Sequence, residues 1–124
     1  MYARIIIVED DSAVSDILSI LLRRNGFIVE EYVTGETLME GNFTPPDLFL
    51  LDKQLADMDG IDICRHLKNQ PLTKDIPVII LSATPGLHKL VKESGADAFI
   101  EKPFTSRFLL STIKSLLQPS GSSI

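Results

Sequence analysis

Three consecutive acids, Glu9, Asp10 and Asp11, directly follow an apolar run in the stretch IIIVEDD at residues 5–11. Two carboxylates about 5 Å apart repel each other by roughly 3 kcal/mol at an effective dielectric constant near 20. Acids placed against a buried segment therefore need a compensating positive charge, and carboxylate oxygens bind divalent cations well. We interpret Asp11 as the cap of a following helix, and Glu9 and Asp10 as candidate metal ligands.

Three further side chains that suit phosphoryl chemistry, Asp52, Ser82 and Lys102, stand at or just after the ends of other apolar runs. Mg²⁺ prefers one or two carboxylates, several waters and a phosphate oxygen. A hydroxyl and an ammonium can hold the remaining phosphoryl oxygens. Together with Glu9 and Asp10, this set predicts a magnesium-dependent phosphoryl site. Asp52 alone would be interpreted as a strand-end cap, but its four partners favour the phosphoryl site.

These residues must be positioned by the elements that precede them, and the sequence alternates between short apolar runs and helical periods. Most of the apolar runs are nearly continuous, which is typical of strands covered on both faces. Such alternation predicts an α/β fold with a parallel sheet and helices on both of its faces. In these folds ligands bind at the carboxyl ends of the strands. The predicted strands are Ile5–Val8, Phe27–Tyr32, Leu48–Leu51, Val78–Leu81 and Ala98–Ile100.

Five helices are predicted between and after the strands. The first carries an apolar stripe between a cap at Asp11 or Ser12 and an end at Asn25-Gly26. The third is expected to be capped by Asp59, and its Cys64 to be buried. The second to fifth helices are predicted over Gly35–Glu40, Gly60–Lys68, Leu87–Ser94 and Thr105–Leu117.

Composition excludes several classes of protein. The chain has 124 residues, 44% of them hydrophobic, which fits one domain over residues 1–118 followed by a polar tail or linker at 119–124. The net charge of −5 argues against nucleic-acid binding, which needs Lys and Arg to neutralise phosphates. No apolar run approaches the roughly 20 residues that span a bilayer, so no membrane association is expected. A single cysteine, Cys64, suggests a reducing cytoplasm.

Four segments, IIIVEDD, PDLFLLDKQLADMDGIDI, VIILSA and GADAFIEKPF, together resemble the response-regulator receiver domains of two-component signalling. The resemblance implies a flavodoxin-like receiver fold with strand order 2-1-3-4-5. It also implies that Asp52 is the phosphoacceptor, taking its phosphoryl group from a sensor histidine kinase or a histidine phosphotransfer protein. The expected cofactor is Mg²⁺, for which Mn²⁺ can substitute, held by Glu9, Asp10, Asp52 and the backbone carbonyl of Gln54.

Further roles follow from the same resemblance. Ser82 and Lys102 are expected to bind the phosphoryl group, and Phe99 to be the switch aromatic that alters the surface of the fourth helix, fifth strand and fifth helix. Gln54 and Thr84 are expected to modulate the rate of dephosphorylation. The Lys102-Pro103 peptide bond is expected to be cis. The domain would catalyse only its own phosphorylation and dephosphorylation, and it could belong to a larger hybrid kinase or regulator.

The chain departs from the usual receiver pattern at several positions. Ala56 replaces a common proline, and Lys53 replaces a residue that is usually apolar. The segment from Ser82 to Gly95 is about two residues short, which predicts a shortened or displaced fourth helix. Phe99 lacks the hydroxyl of the tyrosine found in many relatives.

Two other functions fit parts of the pattern. A magnesium-dependent phosphohydrolase with an aspartate nucleophile typically carries a second aspartate two residues later, where this chain has Gln54. An inert receiver-like interaction domain would not need the full set of acids, hydroxyl and lysine.

A calcium-binding loop around Asp57 and Asp59 is excluded because the other ligand positions of such a loop are occupied by Leu55 and His66.

Overall fold

The five strands pair in parallel and form one sheet in the order β2-β1-β3-β4-β5. The structure is a computed structural model that describes residues 2–118. Each strand is followed by a helix, so every connection crosses a face of the sheet and the strand directions agree. The strands are β1 (Arg4–Val8), β2 (Ile28–Tyr32), β3 (Leu48–Asp52), β4 (Val78–Ser82) and β5 (Ala98–Glu101).

The helices begin and end where short polar residues satisfy their free backbone groups. The Asp11 side chain accepts hydrogen bonds from the first turn of α1, and Asp59 and Thr105 do the same for α3 and α5. The helix α4 has only six residues, in agreement with the short segment that follows Ser82. The helices are α1 (Ser12–Arg24), α2 (Glu36–Glu40), α3 (Gly60–Lys68), α4 (His88–Glu93) and α5 (Ser106–Leu117).

Two apolar layers cover the sheet because alternate residues of each strand point to opposite faces. Ile5 and Ile7 of β1 pack with α1 and α5, whereas Ile6 and Val8 pack with α2, α3 and α4. All four side chains are at most 1% exposed. Burial of one such side chain stabilises a fold by about 2 kcal/mol, so β1 is held firmly on both faces.

The structure confirms the predicted α/β architecture, and the predicted bounds of the strands and of α2 to α5 lie within one residue of the observed ones. Phe27 precedes β2 instead of beginning it, and Gly35 caps α2 instead of lying inside it. Asp52 is the last residue of β3, where it pairs with Leu81 of β4. The tail predicted at 119–124 lies outside the described residues.

The two glutamates of β2, Glu30 and Glu31, form ion pairs and hydrogen bonds with neighbouring elements, although β2 is an edge strand. Arg4 forms an ion pair with Glu30, and Ser15 Oγ donates a hydrogen bond of 2.7 Å to Glu31 Oε1. Arg23 lies 3.6 Å from the other carboxylate oxygen of Glu31. These contacts join the edge strand to β1 and α1, and they depend on tertiary placement that β2's sequence does not specify.

Within residues 2–118, none of the helices is both long enough and apolar enough to cross a bilayer.

Cys64 generates a prediction about thiol reactivity. Its side chain is fully buried, with Sγ 3.6 Å from Ser94 Oγ, and burial raises the pKa of the thiol. A raised pKa lowers the thiolate fraction near neutral pH, and the thiolate is the reactive species. An aromatic disulfide reagent should therefore label the native protein roughly a hundredfold more slowly than the denatured protein, because labelling needs local opening. Labelling at equal rates in both states would contradict the buried placement, and Cys64→Ser provides the blank.

Candidate functional site

The carboxylates of Glu9, Asp10 and Asp52 meet at the carboxyl edge of the sheet. Val8 at the end of β1 pairs with Leu51 of β3, so the residues that follow these two are neighbours. The backbone N–H of Glu9 donates to the carbonyl of Tyr32, which fixes the chain as it leaves β1. One oxygen from each of the three acids lies within 4.8 Å of the others. The predicted cluster of acids is therefore formed by strand pairing.

Lys102 is the cation that faces this cluster. Its Nζ lies 2.7 Å from Asp52 Oδ1 and 3.3 Å from Glu9 Oε1. The backbone N–H of Lys102 donates to the carbonyl of Ser82, which places the start of this side chain beside β4. Glu9 and Asp52 are only 2% and 6% exposed, so these ion pairs are poorly screened by solvent. One ammonium leaves the three ionised acids with a formal excess of negative charge.

Burial and charge shift two pKa values in the cluster. Burial raises the pKa of Glu9, and the nearby Asp52 raises it further, while the Asp11 N–H and Lys102 act in the opposite direction. Burial by itself would lower the pKa of Lys102, but its contacts with Asp52 and Glu9 outweigh burial and raise it. Lys102 is therefore held as an ammonium, and negative charge at Glu9 has an energetic cost in the metal-free protein.

A cavity of about 260 Å³ opens over the cluster. Six residues predicted for the site line it, including Gln54 and Ser82, so the fold brings them together around one space. Two apolar residues, Val14 and Ala83, complete the wall. The lining consists of Glu9, Asp10, Asp11, Val14, Asp52, Gln54, Ser82, Ala83 and Lys102.

The close approach of Gly60 to the backbone of Asp52 and Lys53 fixes the position of Asp52. The backbone N–H of Gly60 donates to the carbonyl of Lys53 at 2.7 Å. A Cβ atom at position 60 would lie 2.2 Å from the carbonyl oxygen of Asp52, so a side chain there could be accommodated only by moving backbone. The start of α3 is thus packed directly against the residue that carries the central carboxylate.

Two residues predicted for the site, Thr84 and Phe99, do not line this cavity, whereas Ser82 does. Ser82 is 4% exposed, and its Oγ accepts a hydrogen bond of 3.0 Å from the backbone N–H of Thr84. Thr84 is exposed and, among the described residues, is not part of the cavity wall. Phe99 is half-buried in the layer of α2, α3 and α4, where His88 packs edge-on against it with ring centroids 4.8 Å apart. The Lys102-Pro103 peptide bond is cis.

Three features near the site were not predicted from the sequence. The exposed His88 packs against Phe99 and lies 3.3 Å from Glu101. Lys53 forms an ion pair with Asp59 that joins the two ends of a loop. Val14 lines the cavity because α1 begins directly after the acids, and its position in the first turn of α1 is the signal that could have indicated this.

The donor set fits a small divalent cation. Every candidate ligand is a carboxylate or carbonyl oxygen, which is the donor type that Mg²⁺ accepts. The three carboxylate oxygens are close enough to share one ion, and the excess of negative charge favours its binding. Ser82 and Lys102 line the same cavity, and a hydroxyl and an ammonium can donate hydrogen bonds to an anionic group.

Comparisons with known proteins agree with this geometry. The family model described as response regulator receiver domain matches residues 5–114. The chain is 36% identical over 121 residues to the DNA-binding dual master transcriptional regulator RpaA of Synechocystis, covering 93% of this chain and 49% of that protein. The chain therefore spans about half the length of the curated relatives it matches.

Two solved structures share the fold over almost the whole chain. The signal receiver domain of a histidine kinase from Syntrophus aciditrophicus is 34% identical, with a TM-score of 0.86, covering 98% of this chain and 95% of that one. The receiver domain of the sensor histidine kinase PA1611 from Pseudomonas aeruginosa was solved with magnesium coordinated in its active-site cleft. It is 22% identical, with a TM-score of 0.85, covering 94% of this chain and 98% of that one, and this likeness concerns the fold.

The crowding of the acids predicts how Asp10→Asn behaves. Removing one like charge should stabilise the metal-free fold by roughly 1 kcal/mol, a modest figure because Asp10 is exposed. The same change should weaken Mg²⁺ binding about tenfold, because it removes a charged ligand. Thermal melts with and without Mg²⁺ measure both effects. Asp16→Asn, which removes an exposed charge from α1, is the matched control. A lower Tm than the wild type without metal would contradict repulsion among the acids.

Proposed function

The chain belongs to the family of response regulator receiver domains, and on this premise we propose that Asp52 is the residue that accepts the phosphoryl group. The chain is a signalling module of a two-component system. The observation that supports Asp52 is its position: it is the one acid of the cluster that lies at the end of a central strand and contacts Lys102 at 2.7 Å. The donor in this proposal is the phosphohistidine of a sensor histidine kinase or of a histidine phosphotransfer protein.

In the proposed reaction a carboxylate oxygen of Asp52 attacks the phosphorus atom of the phosphohistidine. The new P–O bond forms as the P–N bond breaks, and the bonding electrons stay with the imidazole, which then takes up a proton. Lys102 holds Asp52 through one oxygen, Oδ1, which leaves the other free for the attack. Near-attack positioning of this kind can account for much of the acceleration in such a transfer.

Glu9, Asp10, Asp52 and the backbone carbonyl of Gln54 are the residues that would hold Mg²⁺. When bound, the ion supplies positive charge for the phosphoryl oxygens during transfer. Mn²⁺ accepts the same oxygen donors and is expected to substitute for it. The chemistry of the donor set supports this assignment, as does the magnesium in the PA1611 receiver domain.

Lys102 and Ser82 would bind the phosphoryl group once it is attached to Asp52. The Lys102 ammonium already lies at hydrogen-bonding distance from the acceptor carboxylate, so a small displacement lets it donate to a phosphoryl oxygen instead. Ser82 follows the β4 residue that pairs with Asp52, and its hydroxyl lines the same cavity. A shift of Ser82 toward the phosphoryl group would alter the packing of the neighbouring β5 and its Phe99, and through them the surface of α4, β5 and α5.

A phosphohydrolase that turns over external substrates is less well supported. Such an enzyme typically has a general-acid aspartate two residues after its nucleophile, and Gln54 occupies that position in the cavity wall. An amide cannot deliver a proton as a carboxylic acid does. The proposed chemistry is therefore confined to phosphorylation and dephosphorylation of Asp52 itself. A cytoplasmic location, suggested by the lone cysteine, is part of the same proposal.

Phosphorylation by a small donor tests the assignment of Asp52. Acetyl phosphate with Mg²⁺ should add one hydroxylamine-labile phosphoryl group to the wild type, as measured by intact mass. Asp52→Asn should abolish this addition because the amide is not a nucleophile, whereas the exposed Asp75→Asn should leave it unchanged. An unmodified wild type at saturating donor, or full modification of Asp52→Asn, would contradict the proposal.

The lifetime of the phosphorylated state tests the roles of Gln54 and Thr84. Decay requires in-line attack by water, so side chains beside the phosphoryl group set its rate. Gln54→Ala should change the decay rate severalfold because Gln54 lines the cavity. Thr84→Arg should also change it, since a long cation can reach the phosphoryl group from outside the wall.

The matched control for the decay measurement is Thr44→Arg, which adds the same side chain at an exposed position before β3. Decay is followed by loss of the phosphoryl mass after removal of acetyl phosphate. An unchanged rate for Thr84→Arg beside a clear change for Gln54→Ala would show that Thr84 lies outside the path of water.

A further inference from the structure

The loop at residues 53–59, which carries Gln54, is closed across its base by contacts between its two ends. Lys53 Nζ lies 2.7 Å from Asp59 Oδ2. Gln54 and Asp59 also form an isolated antiparallel bridge between their backbones. The loop thus leaves β3 and returns to α3 as a narrow closed turn, and Gln54 lies just inside the closure.

Asp59 links the closure to the rest of the fold. Its Oδ1 accepts a hydrogen bond of 2.8 Å from the backbone N–H of Ile61, so the same carboxylate caps α3 and pairs with Lys53. The Lys53 side chain is 20% exposed and that of Asp59 is 37% exposed. A partly buried charge-assisted contact at 2.7 Å is stronger than an exposed surface pair. The ion pair therefore ties the first residue after β3 to the start of α3.

We propose that Lys53 is a positioning residue for the cation site: through Asp59 it holds the loop closed and so places the backbone carbonyl of Gln54 beside the acids. This inference rests on the proposed function, in which that carbonyl is a Mg²⁺ ligand. A carbonyl on a loop binds an ion well only if the loop is ordered before binding, because otherwise the ordering entropy reduces the affinity.

The sign of the effect separates positioning from simple electrostatics. Lys53 is a cation near a site for another cation, so its loss would strengthen Mg²⁺ binding if only charge mattered. Loss of the negative charge of Asp59 would weaken binding on the same grounds. If Lys53 acts by closing the loop, neutralising either partner weakens Mg²⁺ binding.

The experiment is calorimetric titration of the full metal-free chain with MgCl₂. Lys53→Met removes the ion pair, and Asp59→Asn removes it while keeping an oxygen that can cap α3. We expect each to raise the Kd for Mg²⁺ about tenfold, the lower end of the range for residues that orient a metal ligand. The double variant should have the same Kd as either single variant, since both substitutions remove the same ion pair. Lys53→Arg retains the pair and should bind Mg²⁺ nearly as the wild type does.

Two controls exclude a general loss of structure. Lys74→Met makes the same substitution at an exposed position before β4, at the opposite edge of the sheet, and should leave the Kd unchanged. Amide exchange in the metal-free Lys53→Met protein should quicken at residues 53–59 while the strand amides stay protected.

A Kd for Lys53→Met that equals or falls below the wild-type value would overturn the positioning role while leaving the proposed function intact. Additive effects in the double variant, or a Lys53→Arg protein as weak as Lys53→Met, would also overturn it. Failure of the wild type to bind Mg²⁺ would instead overturn the proposed cation site, and the inference with it.

Discussion

The close approach of three carboxylates to one another is the constraint on which the rest of this structure depends. Glu9 and Asp52 are buried and Asp10 stands beside them, with Lys102 as the ammonium that pairs with two of them. Lys102 and Glu9 are 93 residues apart in sequence, so only the completed sheet can bring them together. The cluster is costly without a further cation, and the same cost makes it receptive to a divalent ion and a phosphoryl group.

The sheet supplies this cluster with little freedom to relax. The central strands are apolar on both faces because helices cover both sides, so polar residues can only be placed where the strands end. Parallel pairing then sends the ends of β1, β3 and β4 to the same edge. The packing of Gly60 against the Asp52 carbonyl and the tie between Lys53 and Asp59 keep the adjoining loop close to that edge. The buried strands thus stabilise the fold, and the residues that can do chemistry lie at the strand ends.

The sequence was sufficient to predict the order of elements and most of the cavity wall, because both follow from short-range patterns. Continuous apolar runs identify the strands, and acids directly after them must lie at the carboxyl edge. The caps at Asp11 and Asp59 were equally local signals. By contrast, the contacts of His88 with Phe99 and of Glu31 with Ser15 and Arg23 join different elements. Such contacts depend on helix rotation and side-chain rotamers, which no local pattern specifies.

The stabilisation of the wild-type protein by Mg²⁺ is the most direct test of the idea that a divalent cation compensates the crowded acids. The free energy of unfolding should be measured against MgCl₂ concentration, with NaCl at matched ionic strength as the reference. A ligand that binds only the folded state stabilises it by RT ln(1 + [L]/Kd), about 2.7 kcal/mol at a hundredfold excess over the Kd. We predict a rise with MgCl₂ that follows this relation and exceeds the effect of NaCl. Equal curves for the two salts would show that the acids recruit no specific ion and would contradict the central claim.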